Sequence, residues 1–380
     1  MRKDLLFSIA IIPACLWQAG AAEPLVAAKV PGSGTCMTSG CHGGAGLERG
    51  AYTIWKRYDP HFAAAATLTN GRSKAMAREL GIDNAAESKS CTICHSPMRQ
   101  MIPSGLPAVP DRDKIDSGVS CANCHGSAEK WLLSHTRRDY PKDALARLGM
   151  RPLGSAYQRA SHCVACHQNL SDALVEARHP ALVFELDGML VAEPRHWREA
   201  KGFSNAKTWL VGQAVALRET AAQAKREPGA RRTAEIEAIQ ALLKATGTGW
   251  DDPGKDLVRS ADEYAKRISG APMSHEQSRA ILSKLLGDRA SFQPDAFSRV
   301  AREYRPWSMG YYAERLALAI DRLNQSLVAS GGKSAIAKDL LDELFDAAKP
   351  PESFDGATVG EFVEKLERVA KSQLDAEQDH

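Results

Sequence analysis

The chain has 380 residues, enough for two domains, with 44% hydrophobic and 25% charged content, the make-up of an ordinary globular protein. Its formal net charge is +3 at pH 7, and its basic residues form no single stripe, so no nucleic-acid partner is expected.

The first segment is not globular. Arg2 and Lys3 precede the apolar run LLFSIAIIPACLW, and small residues follow in QAGAAEP. This pattern predicts a secretory signal peptide over residues 1–22, cleaved before Glu23 or one residue earlier. The run is too short to span a bilayer, and no later segment approaches the roughly 18 apolar residues a span needs. Reading IPAC as a lipidation box would make Cys15 an anchor, but proline sits poorly ahead of that alanine. The mature protein is therefore expected to be exported to the periplasm, soluble, with no transmembrane segment.

Of nine cysteines, Cys15 lies in the signal and the other eight form four pairs. Cys36 and Cys41 precede His42, Cys91 and Cys94 precede His95, Cys121 and Cys124 precede His125, and Cys163 and Cys166 precede His167. In an exported chain eight cysteines would ordinarily suggest disulfides. A single CxxC also serves zinc sites and redox disulfides. Neither needs a histidine after every pair, whereas CxxCH is the attachment signature of c-type haem. Two thiols form thioethers to the vinyl groups, and the adjacent histidine is delivered to the iron as the proximal ligand. Four c-type haems are expected. The first motif, CMTSGCH, has four residues between its cysteines, but it keeps the second cysteine and histidine adjacent.

Four irons make the remaining histidines candidates for the distal position. His61 in YDPHFAAAA opens a helix-like alanine run, and His135 lies ten residues beyond His125. A side chain that near the proximal ligand tends to emerge on the same side of its own porphyrin, so a neighbouring haem is the expected client of His135. His179 in EARHPALVFEL and His196 in EPRHWREA are the other two distal candidates. His162 directly precedes Cys163 and is strained for that role, while His275 and His380 are read as surface residues. Met98 and Met101 are expected to pack at a haem edge.

GVSCANCHG followed by WLLSH, WKRYDPHFAAA after the first motif, and SHCVACH together resemble the tetrahaem cytochrome c-554 family in motif order over about residues 34–200. The resemblance implies that His135 caps the iron of His42, His61 that of His125, and His196 that of His167. It also implies a five-coordinate second haem, here on His95, which His179 is an extra candidate to close. Family analogy suggests a nitrogen-oxide or hydroxylamine-oxidising context. The CMTSGCH spacing and a long haem-free C-terminal half depart from the family pattern.

Between the motifs, stretches such as PSGLPAVPDRDK read as irregular loop. Short helices wrapped around four haems, with few strands, are expected over residues 23–200, and haem-free protein is expected to be largely unfolded. Residues 201–380 contain no cysteine and are dominated by helical periodicity. Tyr312, Leu316, Ile320, Leu323 and Leu327 mark one helix face. Ser260 with Glu263, and Ser274 with Gln277, fit helix starts. Gly247 and Gly287 fit helix ends, and the tail KSQLDAEQDH is expected to fray. The expected fold is mainly α: a tetrahaem domain followed by a bundle of five or six helices that either packs on the haem domain as a shield, the preferred reading, or presents a docking face for partners.

Two function classes follow. With both axial positions filled, the haems would make an electron carrier exchanging electrons with periplasmic or membrane-associated redox proteins. With an open iron on His95, they would make an enzyme acting on a small nitrogen compound such as nitric oxide or hydroxylamine. No acid, base or nucleophile constellation stands beside that motif, so the carrier is the preferred reading.

Overall fold

The structure is a computed structural model, described here over residues 32–47, 49–98, 118–168, 170–250, 254, 256–331 and 336–378. The predicted signal peptide, Cys15, Met101, the stretch PSGLPAVPDRDK and His380 lie outside the described residues. The fold is mainly α, and there is no strand among the described residues.

The haem-motif stretch is built from short pieces. They are α1 (Ala51–Tyr58), a 3-10 segment (Pro60–Thr69), α2 (Gly71–Glu79), α3 (Lys89–His95), α4 (Cys121–His125) and α5 (Lys142–Arg147). α6 (Ala156–His167), α7 (Asp172–Glu176) and α8 (Leu186–Ala192) follow. Among the described residues up to 150 there are only small apolar clusters, one around Leu68, Ala77 and Ala85 and another around Ala128, Trp131 and Leu145. Such clusters bury too little apolar surface to offset the entropy of ordering that much chain.

The C-terminal half is different. α9 (Asn205–Arg226), α10 (Ala230–Ala245), α11 (Leu257–Gly270), α12 (His275–Gly287), α13 (Arg305–Ala329), α14 (Lys338–Ala347) and α15 (Gly356–Gln378) pack around one continuous core. Tyr312, Leu316, Ile320, Leu323 and Leu327 are all buried along α13, so the expected apolar face is the core face. Ser274 and Gln277 form the reciprocal cap of α12. Gly247, with φ +65°, stands just past α10, and Gly287 is the last residue of α12.

Three expectations are corrected. The half holds seven helices among the described residues, not five or six. α11 starts at Leu257, capped by Asp256, which puts Ser260 inside the helix; this start seats Ala261, Tyr264, Ala265 and Ile268 in the core. α15 runs on to Gln378, into the tail expected to fray.

Packing also does not break at residue 200. Ala160 and Val164 of α6, with Phe184, Leu186 and Leu190, belong to the same core as Trp209 and Leu316. The fourth CxxCH motif thus ends a helix whose apolar face is part of the C-terminal bundle. Its opposite end is tied down as well. Tyr157 donates a hydrogen bond to Asp262 at 2.6 Å, and Arg218 reaches both Asp262 at 2.7 Å and Ser161 at 3.1 Å. Haem-free protein should therefore keep the bundle, which narrows the expected unfolding to the stretch before α6.

Among the described residues no helix is long and apolar enough to cross a membrane.

Candidate haem-binding site

Three motifs, ending in His95, His125 and His167, lie at the C-terminal ends of α3, α4 and α6. A helical turn brings the two cysteines of a CxxC pair to one side, three residues apart. In the first motif the two extra residues are taken up by a turn. Cys41 and Gly43 donate backbone hydrogen bonds to Thr38 O at 2.9 and 3.0 Å, and His42 donates to Cys36 O at 3.0 Å. None of the eight cysteines is in a disulfide.

Each motif histidine faces one of the four distal candidates. Ring centres are 6.3 Å apart for His42 and His135, 6.0 Å for His61 and His167, 6.3 Å for His95 and His179, and 6.3 Å for His125 and His196. Two imidazoles trans on one iron, each with its nitrogen about 2 Å from the metal and about 1.1 Å from the ring centre, have centres about 6.3 Å apart. The four separations fit that arrangement. The rings are close to parallel at the His42 pair (21°) and close to perpendicular at the His61 pair (88°).

The partner assignment differs from the one the resemblance implied. His61 faces His167 rather than His125, and His196 faces His125 rather than His167. The reason is local. Val119 N donates to His61 O at 2.9 Å, so the backbone of His61 lies against the segment just ahead of Cys121. Asp59 then turns the ring away: its Oδ1 is 2.9 Å from both the backbone N and Nδ1 of His61. His179 closes on His95, the position the resemblance left five-coordinate.

On three further rings Nδ1 is held by a protein group. His135 Nδ1 lies 3.3 Å from Trp131 O, His179 Nδ1 2.9 Å from Pro180 O, and His95 Nδ1 3.0 Å from Thr67 Oγ1 and 3.3 Å from Ala64 O. Engaging Nδ1 fixes the tautomer and leaves Nε2 as the nitrogen able to bind a metal. His196 is braced by its neighbour instead. Trp197 packs edge-on to it at 5.2 Å and donates to Glu199 at 2.6 Å, and Arg159 of α6 pairs with the same carboxylate at 2.9 Å. His179 follows Arg178, a non-glycine residue with φ 66°, whose carbonyl accepts from Arg72 at 3.1 Å. A left-handed residue of that kind is held by its surroundings, here ahead of a ligand candidate.

Asp59, Thr67 and Arg159 were not singled out in the sequence. Only Asp59 left a signal there, an acceptor two residues before a histidine. Asp59, His61 and Glu193 bring ligand atoms within 4.8 Å of one another, a set that alone would suit a small cation. Because the His61 ring is directed at His167, Asp59 is better read as its orienting acceptor.

Burial favours the neutral form of several of these imidazoles, the form that metal ligation requires. Burial, then the neighbouring His196 and His42, pushes His125 down to about 4. Burial likewise lowers His167, with His61 and His95 adding to it, and His196. His61 is raised instead, by its hydrogen bond to Asp59. His162 has no facing ring among the described residues; its Nε2 is 3.2 Å from Arg151, and burial lowers it to about 4. His275 stands at the start of α12, away from the motifs, and Met98 is buried.

Two glycines in GVSCANCHG have steric reasons. A Cβ on Gly118 would stand 2.4 Å from His61 O and 2.5 Å from Phe62 O. Gly126 has φ +83° and ends α4, where a Cβ would stand 2.2 Å from Gly149 O. Gly118→Ala is expected to push the His61 segment off the third motif and destabilise the protein by about 1–3 kcal/mol. Urea denaturation of the holoprotein would measure it, and unchanged stability would show that the close approach carries no weight.

Residues 35–126 match the family model described as cytochrome c554 and c-prime. The match takes in the motifs ending at His42, His95 and His125, together with His61, and stops short of the fourth motif. No curated protein and no solved structure matches the chain. By this match residues 35–126 are similar to the c554-type cytochromes, which supports a c-type cytochrome, and the chain continues beyond the matched segment into a helical C-terminal half.

Proposed function

We propose that this protein is an exported tetrahaem electron carrier whose four irons are each held between two histidines of the chain. The observation that carries the reading is the set of four histidine pairs, each joining a motif histidine to a ring from elsewhere in the sequence at 6.0–6.3 Å. Bound haem supplies a reversible one-electron couple whose potential follows axial ligation, hydrogen bonding and burial.

The residues of the chain set an order of sites that differs from their order in sequence. His42 lies near His125 and His196, Cys124 near Cys163, and His167 near His95. Cys94 and Cys166, from the second and fourth motifs, lie close enough to interact. The pairs therefore run His42/His135, His125/His196, His167/His61, His95/His179. Such a run would give one entry and one exit, at the His42 and His95 ends, for two redox partners. Two propionates on each haem would make the mature protein acidic despite its basic sequence, and reduction would increase that charge.

The enzyme reading rested on an open iron at His95. The His179 ring 6.3 Å away, with Nδ1 tied to Pro180 O, argues against it. Mass spectrometry of the exported protein tests the proposal. Four haem additions on a chain beginning near Glu23 are expected; fewer than four, or an uncleaved N-terminus, would contradict it.

A further inference from the structure

The C-terminal half contains a charged pair that the electron-carrier reading does not use. Arg315 of α13 and Glu235 of α10 meet inside the bundle at 2.7 Å, with the arginine side chain 1% exposed. Burying two charges is expensive, and the geometry recovers only part of that, since Arg315 Nε is buried with no hydrogen-bond partner among the described residues. A pair of this kind is poorly accounted for as a source of stability. Where it leads is more informative.

The Glu235 oxygen that accepts from Arg315 also accepts from Gln168 Nε2 at 2.8 Å. Gln168 is the residue immediately after His167, at the point where α6 ends and the backbone leaves the helix. Its side chain is fixed from both ends. Nε2 also reaches Thr220 Oγ1 of α9 at 3.1 Å, and Oε1 accepts from Phe184 N at 3.1 Å. The second arm of Arg315 reaches Gln213 at 3.1 Å, whose amide donates to Phe184 O at 3.3 Å. The two routes out of the ion pair thus converge on Gln168 and on the Phe184 peptide that holds it.

We infer that Glu235 and Arg315 are positioning residues for His167, acting through Gln168. The haem-free half is then more than a cover: it mounts one axial ligand from a rigid core. This rests on the reading of His167 as an iron ligand.

The test uses the exported holoprotein with Glu235→Leu and Arg315→Met combined, since replacing both members of a buried pair by apolar residues is compatible with folding, whereas removing one leaves a buried charge uncompensated. Haem content is counted first, and the oxidised protein is then examined by electron paramagnetic resonance and potentiometric titration. Loss or displacement of one of four low-spin signals is expected, with a shifted potential for that iron and three signals unchanged. The affected signal should be the one removed by His61→Ala. Glu235→Gln combined with Arg315→Met, which keeps an oxygen to accept from Gln168 without leaving a buried charge unpaired, should restore the native signal. Four haems with all signals and potentials native in the double variant would overturn the inference. If that variant yields no protein, Gln168→Leu, which leaves the ion pair intact, is decided by the same criterion. A wild-type protein lacking the fourth haem would instead overturn the assignment of His167.

Discussion

Replacing His61 with alanine is expected to uncap the iron held by His167 and to leave that of His125 untouched. The expectation follows from the 6.0 Å separation of the His61 and His167 rings and from Asp59, which holds the His61 ring in that direction. One of four low-spin signals should be lost and a high-spin signal should replace it. His196→Ala should do the same at His125, whose ring lies 6.3 Å from His196. The two assignments are separable by removing the fourth haem with Cys163→Ala and Cys166→Ala. In that background His61→Ala should generate no high-spin iron, because its client is gone. A high-spin signal there would return His61 to His125, the pairing implied by family resemblance. Asp59→Asn should leave the ligand in place but weaken its donor strength, shifting the potential of that one iron.

Replacing all eight motif cysteines with alanine is expected to split the molecule into an unfolded part and a folded one. Before α6 the described chain has only two clusters of three buried apolar residues each, so on the proposed reading its order depends on bound haems. Each covalent attachment also restricts the unfolded chain, as a disulfide does at about 2–4 kcal/mol. The C-terminal half has its own core, with Trp209, Leu242, Tyr312, Leu316 and Phe362 among its fully buried side chains. Circular dichroism should therefore keep a substantial helical signal. Limited proteolysis should remove the N-terminal stretch and leave a fragment beginning near Ala156, because α6 is packed into the bundle. Full loss of helix would mean that the bundle depends on the haems; full retention would mean that the N-terminal stretch does not.

The proposed attachment motifs were legible because the chemistry they imply needs contiguous residues: two thiols to reach one edge of a macrocycle and the next side chain to reach its metal. The bundle was legible from the spacing of residues such as Leu316 and Ile320, since a 3.6-residue period records which face is buried. The distal pairing was not legible. It depends on which segments lie together after folding, and His61 is the instructive case. Its backbone is bonded to Val119 beside the third motif, while its ring is turned by Asp59 onto the fourth. Proximity of backbone and direction of side chain point to different clients there, and family order records only the first. Haem attachment and core packing also have different limits along the chain. The last cysteine marks where haem attachment stops, but the helix carrying it packs by Ala160 and Val164 into the following bundle. Ser260 failed as a helix start because Asp256, one turn earlier, supplies a carboxylate acceptor to Arg259 N.

The most direct test of the account is electron paramagnetic resonance of the fully oxidised holoprotein before and after nitric oxide is added. Four histidine pairs at bonding separation predict only low-spin ferric signals, integrating to four irons and unchanged by the gas. Their mutual ring angles, from 21° at His42 to 88° at His167, predict signals of clearly different anisotropy. A high-spin signal that nitric oxide abolishes would contradict the account, and its loss from a variant lacking Cys91 and Cys94 would place the open iron on His95.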